Sequence, residues 1–203
     1  MGSIRTFDIA QIKDKANIKT FIETGTLWGN GVDYALESGF DKIISIEINS
    51  QLAEKAKDKY KNESRVTIIE GSSPIVLREI LPGINEPALF WLDAHFPGAD
   101  ANLAAYKAEL DASDNVPLEI ELSIIKDRPY KDVIICDDLW LYEEVPLSRW
   151  SNFNDHCKSY GHNITREQLV KDGMPEIFEQ MFSKTHKMTR DFNDQGFLIF
   201  KPL

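Results

Sequence analysis

The sequence predicts an α/β fold: a Rossmann-like doubly wound sheet, mostly parallel, with an antiparallel C-terminal strand. Short apolar runs alternate with longer amphipathic stretches, which is the pattern of strand–helix–strand units. The apolar runs are nearly continuous, as expected of parallel strands that helices cover on both faces. A chain of 203 residues, 42% of them hydrophobic, is long enough for one core. We therefore expect a single domain over residues 1–203. It could be excised from a longer protein, because Met1-Gly2-Ser3 is typical of a cloning start.

The predicted elements alternate in order along the chain. The apolar runs place strands at Thr20–Glu23, Ile43–Ile48, Val66–Glu70, Ala88–Asp93 and Val133–Cys136. Helices are predicted between them at about Gly31–Ser38, Gln51–Lys61, Pro74–Leu81 and Leu118–Ile125. Asn49 precedes the second helix and is a suitable N-cap. Turn-forming residues then separate two late runs, so we expect a hairpin that closes the sheet, made of Thr185–Asp191 and Gly196–Phe200.

Composition argues against two classes of partner. The net charge is −10, and no basic run exceeds a solvated helix face such as Lys55–Lys61, so a nucleic-acid partner is not expected. No apolar stretch approaches the roughly 20 residues of a membrane span, and no signal peptide is evident. Cys136 and Cys157 do not make a disulfide framework, which fits a reducing, cytoplasmic compartment. The sequence leaves a homo-oligomer open.

A glycine turn follows the first predicted strand. Its glycines, Gly25, Gly29 and Gly31, do not form the dinucleotide pattern G-x-G-x-x-G, because Leu27 stands where the second glycine should be. Glu23, at the end of the strand, would repel a pyrophosphate but favour an ammonium or a sulfonium. Glu47 ends the second strand, where a carboxylate can accept both hydroxyls of a ribose. Together they indicate a pocket for S-adenosylmethionine (SAM) rather than NAD. The alternative is that Glu23 caps the turn and Glu47 is a solvated strand end.

The segment Glu23-x-Gly25-x-x-x-Gly29 resembles the first motif of class I SAM-dependent methyltransferases, in the variant of small-molecule O-methyltransferases such as the catechol type. The resemblance implies that Glu23 approaches the methionine amino group, that Glu47 holds the ribose, and that Ile48 packs on the adenine. Glu70-Gly71-Ser72-Ser73 matches the loop that commonly reads the adenine edge. The implied cofactor-binding set is Glu23, Gly25, Thr26, Gly29, Glu47, Ile48, Ser72, Ser73 and Asp93.

Three carboxylates follow the fourth and fifth predicted strands. Asp93 ends the fourth strand, and Asp137-Asp138 ends the fifth. Neighbouring parallel strands bring these ends close together, and like charges at that distance would raise one pKa sharply unless a cation compensates them. Oxygen ligands suit Mg²⁺, Mn²⁺ or Ca²⁺. The alternative is that Asp137-Asp138 caps the next segment and Asp93 contacts only the cofactor.

This arrangement resembles metal-dependent O-methyltransferases of the catechol type and of the sugar-methylating macrocin and mycinamicin type. The resemblance implies that Asp93, Asp137 and Asp138 hold a divalent metal, Mg or Mn, and that two vicinal oxygens of the acceptor chelate it. The catechol type has a lysine base where this chain has Phe96. His95 is the nearest replacement and Asp93 the competing base. Further base candidates in the later loop are His156 and His162.

Two stretches are longer than a minimal fold needs: Pro97–Asn115 and Leu141–Pro175. Both leave the carboxyl edge of the predicted sheet, where ligands bind in open α/β folds, so we expect them to cover the substrate. Trp140 and Tyr142 follow the aspartate pair and either stack on the acceptor ring or pack in the core.

The favoured hypothesis is a SAM-dependent, divalent-metal-dependent O-methyltransferase acting on a sugar or glycan hydroxyl, for example of a deoxysugar such as rhamnose. The missing lysine and the Asp-Asp pair favour this small polyol over a catechol-like acceptor. Two alternatives change the class of protein. An NAD-dependent sugar epimerase or dehydrogenase would usually have Tyr-x-x-x-Lys, but Tyr106-Lys107 and Tyr130-Lys131 have the wrong spacing. A non-catalytic SAM-binding module would bind the cofactor without turnover.

Overall fold

A computed structural model describes residues 3–96, 116–145, 153–159, 165–171 and 173–203. The predicted alternation of strands and helices is confirmed, with most boundaries within two residues. The strands are β1 (Thr20–Thr24), β2 (Lys42–Glu47), β3 (Val66–Glu70), β4 (Ala88–Leu92), β5 (Val133–Cys136), β6 (His186–Asp191) and β7 (Phe197–Pro202). The helices are α1 (Ile9–Ala16), α2 (Asn30–Glu37), α3 (Ser50–Tyr60), α4 (Ser73–Ile80), α5 (Leu118–Ile125), α6 (Phe153–Ser159), α7 (Arg166–Leu169) and α8 (Met174–Phe182).

The strands form one sheet in the order β3-β2-β1-β4-β5-β7-β6. Strands β1 to β5 pair in parallel, and β7 runs antiparallel to both of its neighbours, β5 and β6. The predicted fold class, a mostly parallel doubly wound sheet with an antiparallel C-terminal strand, is therefore confirmed. The predicted hairpin forms, but β7 enters the sheet between β5 and β6, which leaves β6 at the edge.

The strand order reverses at β1, which is flanked by β2 and β4. Glu23 of β1 is level with Ser45 on one side and with Trp91 on the other. The carboxyl ends of β1, β2, β4 and β5 therefore lie at one edge of the sheet. In open α/β sheets the crevice at such a switch point is where ligands bind.

Each face of the sheet is covered by helices, and alternate residues of every strand enter one core or the other. On one face Ile22, Phe90 and Ile134 pack with α4, α5 and α8. On the other face Phe21, Leu89 and Ile135 pack with α1, α2 and α3. No helix in the described ranges is long and apolar enough to cross a membrane.

A buried ion pair ties the amino edge of the sheet together. The Arg128 guanidinium lies 2.8 Å from the Asp132 carboxylate and also donates to the carbonyl oxygens of Ile84 (3.1 Å) and Glu86 (2.8 Å). Asp132 in turn accepts a hydrogen bond from the backbone N–H of Ala88 (2.8 Å), the first residue of β4. The two charged side chains are only 6% and 2% exposed. This network fixes the start of β4 to the segment that leads into β5.

We expect Arg128→Ala to lower the free energy of unfolding by about 3–5 kcal/mol, because it leaves the Asp132 carboxylate buried without its cation. Urea denaturation followed by circular dichroism measures the change. Arg5→Ala is the matched control, since Arg5 pairs with Glu37 on the exposed surface and should contribute much less. Equal losses in the two variants would contradict this role for the buried pair.

Candidate functional site at the carboxyl edge

The turn after β1 is pressed between two neighbouring strands. The backbone N–H of Gly25 donates to the carbonyl of Ile46 (2.9 Å). A Cβ at Gly25 would lie 2.5 Å from the backbone oxygen of Asp93, and the residue has φ +86°. Both constraints require glycine here. The predicted cofactor turn therefore contacts the end of β4, where the carboxylates begin.

Glu47, at the end of β2, holds the tip of this turn. One carboxylate oxygen accepts from the backbone N–H of Leu27 (2.9 Å), and the other accepts from that of Asn49 (2.8 Å). Leu27 has a left-handed backbone, with φ 47°, which a bulky residue rarely adopts. Each carboxylate oxygen has a second lone pair, so Glu47 can still accept from a ligand hydroxyl.

Glu23 is buried under the first turn of α2. Its carboxylate accepts a hydrogen bond from the Ser45 hydroxyl (2.5 Å) and faces Gly31, where a Cβ would lie only 1.8 Å from it. Burial raises the pKa of Glu23 to about 8, and the charge of Asp93 adds to this effect while the Ser45 bond opposes it. Glu23 and Asp93 line one cavity with Gly25 and Trp28. A cationic ligand in that cavity would restore the ionised carboxylate.

The other predicted cofactor residues lie along the same edge. Gly29 precedes α2 with φ +79°, and Ser72 precedes α4. The Ile48 side chain is 37% exposed directly after β2, as a surface for a flat ring would be. By contrast, the Thr26 hydroxyl is buried against that of Ser45 (2.6 Å). Ser73 is also buried, at the start of α4.

A compact cluster joins the ends of β4 and β5. Asp93, His95 and Asp138 each offer a ligand atom, and these atoms lie within 4.8 Å of one another. The His95 Nε2 contacts Asp138 Oδ2 directly and lies 3.7 Å from Asp93 Oδ1. The indole N–H of Trp140 donates to Asp138 Oδ1 (2.7 Å). Burial alone would raise the pKa of Asp138, but His95 and this indole bond lower it instead.

Asp137 lines the same cavity but does not belong to the cluster of Asp93, His95 and Asp138. One of its carboxylate oxygens accepts from the backbone N–H of Asp138 (2.8 Å), and the other has no hydrogen-bond partner within the described ranges. Burial raises the pKa of Asp137, and the charges of Asp138 and Asp93 raise it further. Of the three predicted metal ligands, Asp93 and Asp138 thus lie close to His95, and Asp137 lines the same cavity beside them.

Sequence reasoning missed Glu121, which is fully buried in α5. It lines the cavity that contains the aspartates and His95. A signal for it exists in the sequence. Leu118, Leu122 and Ile125 form the buried stripe of α5, and position 121 has the helical spacing of that same stripe. An acid there must face the interior, which is unusual without a partner.

The structure favours packing for the two aromatic residues after the aspartate pair. Trp140 and Tyr142 are 6% and 7% exposed, and Tyr142 packs edge-on against Phe178 while it also lines the cavity of the aspartates. The expected substrate-covering stretch Pro97–Asn115 lies outside the described residues. So do much of Leu141–Pro175, all of His162 and the side chain of His156.

The strand order and the inserted antiparallel strand are those of the class I SAM-dependent methyltransferase fold, and solved structures of that class align with the whole chain. The chain is similar to the SAH-bound methyltransferase PaMTH1 of Podospora anserina, with 17% identity, a TM-score of 0.62 and coverage of 100% and 80% of the two chains. It is also similar to an O-methyltransferase from Bacillus cereus in complex with SAH, with 15% identity, a TM-score of 0.58 and coverage of 100% of this chain and 83% of the other. A third similar structure is TomG of Streptomyces achromogenes, an O-methyltransferase involved in tomaymycin synthesis, in complex with SAM. It shows 13% identity, a TM-score of 0.57 and coverage of 100% of this chain and 81% of the other.

No protein-family model matches the chain, and the curated proteins yield no match either. At these identities the likeness shows the fold alone. Function must therefore be argued from the site, because one fold hosts many activities.

The raised pKa of Glu23 predicts a pH-dependent stability. Its carboxyl stays protonated in the ligand-free folded protein up to about pH 8, but ionises near 4.5 when unfolded. Unfolding therefore releases a proton between about pH 4.5 and pH 8. The contribution of Glu23 to the free energy of unfolding falls as pH rises through this range, by on the order of 5 kcal/mol. Urea denaturation across this range should show a smaller decline for Glu23→Gln than for the wild type. Parallel curves for the two proteins would contradict the buried, protonated state.

Proposed function

We propose that the protein is a SAM-dependent, divalent-metal-dependent O-methyltransferase that methylates a hydroxyl of a sugar or glycan. The observation that carries the proposal is the position of the Asp93–His95–Asp138 cluster. It lies at the ends of β4 and β5, and its first member also touches the glycine turn that follows β1. A methyl donor in the turn and an acceptor at the cluster would be adjacent.

The residues at the turn fit SAM as the methyl donor. Gly25 lets the turn pack directly against the end of β4, and Glu47 keeps lone pairs for ribose hydroxyls. Exposed Ile48 offers an apolar surface to the adenine. Glu23 supplies a carboxylate that a methionine ammonium would stabilise. These features disfavour NAD, because the buried acid at Glu23 is unfavourable beside a pyrophosphate.

The cluster fits a divalent cation, with Asp93 and Asp138 as ligands and His95 or Asp137 as further donors. Carboxylate oxygens favour Mg²⁺ or Mn²⁺, and an imidazole donor is also compatible with transition metals. When bound, the metal would supply a Lewis acid and a template for two vicinal oxygens. The charge of the cation would also relieve the repulsion among the aspartates.

The proposed reaction is an in-line displacement. The methyl carbon leaves the sulfonium sulfur, which keeps the bonding electron pair, and forms a bond to the acceptor oxygen, whose proton passes to a base. His95 is one candidate base, and Asp93 is the other. Asp138 and Trp140 orient the His95 ring through the contacts that Asp138 makes with both. Positioning the two reactants in this way can lower the barrier by about 7–11 kcal/mol.

The acceptor is proposed to be a small polyol or glycan terminus, with a deoxysugar such as rhamnose as an example. Phe96 occupies the position of the catechol-type lysine, which weighs against a catechol. The net charge of −10 argues against a nucleic-acid acceptor. A catechol-like acceptor is the second candidate, since the similar structures include an O-methyltransferase involved in tomaymycin synthesis.

Cofactor binding tests the first half of the proposal. Calorimetry should show that the wild type binds SAH and not NAD. Glu47→Gln should weaken SAH binding by about 10–100-fold, because it removes charged hydrogen-bond acceptors for the ribose. Glu54→Gln, on the exposed side of α3, is the control and should leave the affinity unchanged. Binding of NAD by the wild type would contradict the cofactor assignment.

Turnover tests the second half. With SAM, Mg²⁺ or Mn²⁺ and a panel of sugars and catechols, mass spectrometry should detect a methylated sugar. Chelation of the metal, or Asp138→Asn, should lower the rate on the order of 100-fold or more. Asp58→Asn on exposed α3 is the matched control. Methylation of catechols alone would overturn the sugar proposal, and SAH binding without any turnover would favour a non-catalytic module.

A further inference from the structure

The cavity at the ends of β4 and β5 holds more carboxyl groups than the predicted metal ligands account for. Its lining includes four carboxyl groups: Asp93, Glu121, Asp137 and Asp138. His95 is the basic side chain among the described residues that line it. A single divalent cation bound to Asp93 and Asp138 would leave the other two carboxyl groups uncompensated.

Those two groups also carry carboxylate oxygens that have no hydrogen-bond partner among the described residues. Both oxygens of Glu121 and one oxygen of Asp137 have none of standard geometry in the part of the chain that the structure describes. Glu121 is 0% exposed and Asp137 is 4% exposed. A buried carboxylate left unsatisfied destabilises a fold, so such a group points to a missing ligand.

The position of Glu121 limits what that ligand can be. Burial raises the pKa of Glu121 to about 7, and the hydroxyls of Ser73 and Thr24 lie close enough to oppose this rise. Thr24 ends β1, and Ser73 begins α4. The polar groups that act on this carboxylate are thus hydroxyl oxygens, and no described cation pairs with it. Oxygen donors with excess negative charge suit a hard, hydrated cation.

We propose that Glu121 and the free oxygen of Asp137 form an outer layer of the divalent-cation site and face the hydrated side of the cation. Asp93, His95 and Asp138 form the inner cluster. Mg²⁺ and Mn²⁺ keep several waters in proteins, and these waters need acceptors. Carboxylates that accept hydrogen bonds from the groups coordinating a metal contribute strongly to the affinity for that metal. This inference rests on the metal dependence proposed above, and it assigns the residues that tune it.

The inference predicts opposite effects on two quantities. Glu121→Gln should weaken Mn²⁺ binding by about 10–100-fold, since an outer carboxylate is lost. The same variant, stripped of metal, should unfold at a higher temperature than the wild type. Glutamine keeps the shape of the side chain, removes the uncompensated charge and can pair with the hydroxyls of Thr24 and Ser73. A purely structural carboxyl would do the reverse, because its loss would lower the unfolding temperature and leave Mn²⁺ affinity intact.

The experiment uses the whole chain, treated with EDTA and dialysed. Mn²⁺ is titrated by calorimetry at about pH 7.5 with SAH present, and thermal unfolding of the metal-free protein is followed by circular dichroism. Glu119→Gln is the matched control, because it changes the same charge on the same helix at a partly buried position outside the cavity lining. It should bind Mn²⁺ as the wild type does, within about twofold.

Each outcome is decisive. Weaker Mn²⁺ binding together with a higher unfolding temperature supports the inference. Unchanged Mn²⁺ affinity, or a Glu121→Gln protein that is less stable or unfolded without metal, overturns it. Failure of the wild type to bind Mn²⁺ overturns the proposed metal dependence itself. Asp138→Asn separates these cases, because it should abolish Mn²⁺ binding whether or not Glu121 takes part.

Discussion

The density of negative charge at the carboxyl edge of the sheet is the constraint on which the rest of the structure depends. Parallel strands deliver Glu23, Asp93 and Asp137 to one crevice, where burial raises the pKa of Glu23 to about 8 and also raises that of Asp137. Among the described residues that line the two cavities there, the basic side chains are Arg5 and His95. The edge therefore favours positively charged ligands, which would stabilise it on binding. Cofactor and metal would each neutralise a different part of this charge.

At the opposite, amino edge of the sheet, the buried charges are paired within the protein. There Arg128 pairs with Asp132 and donates to three backbone carbonyls, so its charge is compensated inside the protein. A protein of marginal stability can hold unsatisfied carboxylates at one end only if other regions are well satisfied. The sheet thus separates a stabilising edge from a functional edge. The two are linked through β4, which begins at the Asp132 network and ends at Asp93.

Much of this arrangement could be predicted from local sequence. The bounds of β3, β5 and α5 follow from apolar runs and match the structure. The predicted edge location of Glu47 and Asp93 follows from strand ends in the same way. What could not be predicted depends on backbone conformation and on contacts between distant elements. Asp138 has a left-handed backbone and meets His95, and spacing along a chain does not encode such a turn. Glu121 was not predicted as a site residue because its helix is mostly apolar, and only the tertiary packing shows which groups the side chain faces.

The position of β7 has a consequence for biosynthesis. This strand follows every other described strand along the chain, yet it lies between β5 and β6. Before residues 197–202 leave the ribosome, the apolar strand β5 is paired with β4 on one edge only, and the edge that later pairs with β7 is open. Open apolar edges recruit other strands and promote aggregation. The sheet is therefore complete only after residues 197–202 have been synthesised, and until then the solubility of the nascent chain depends on how quickly these residues follow or on a chaperone that shields that edge.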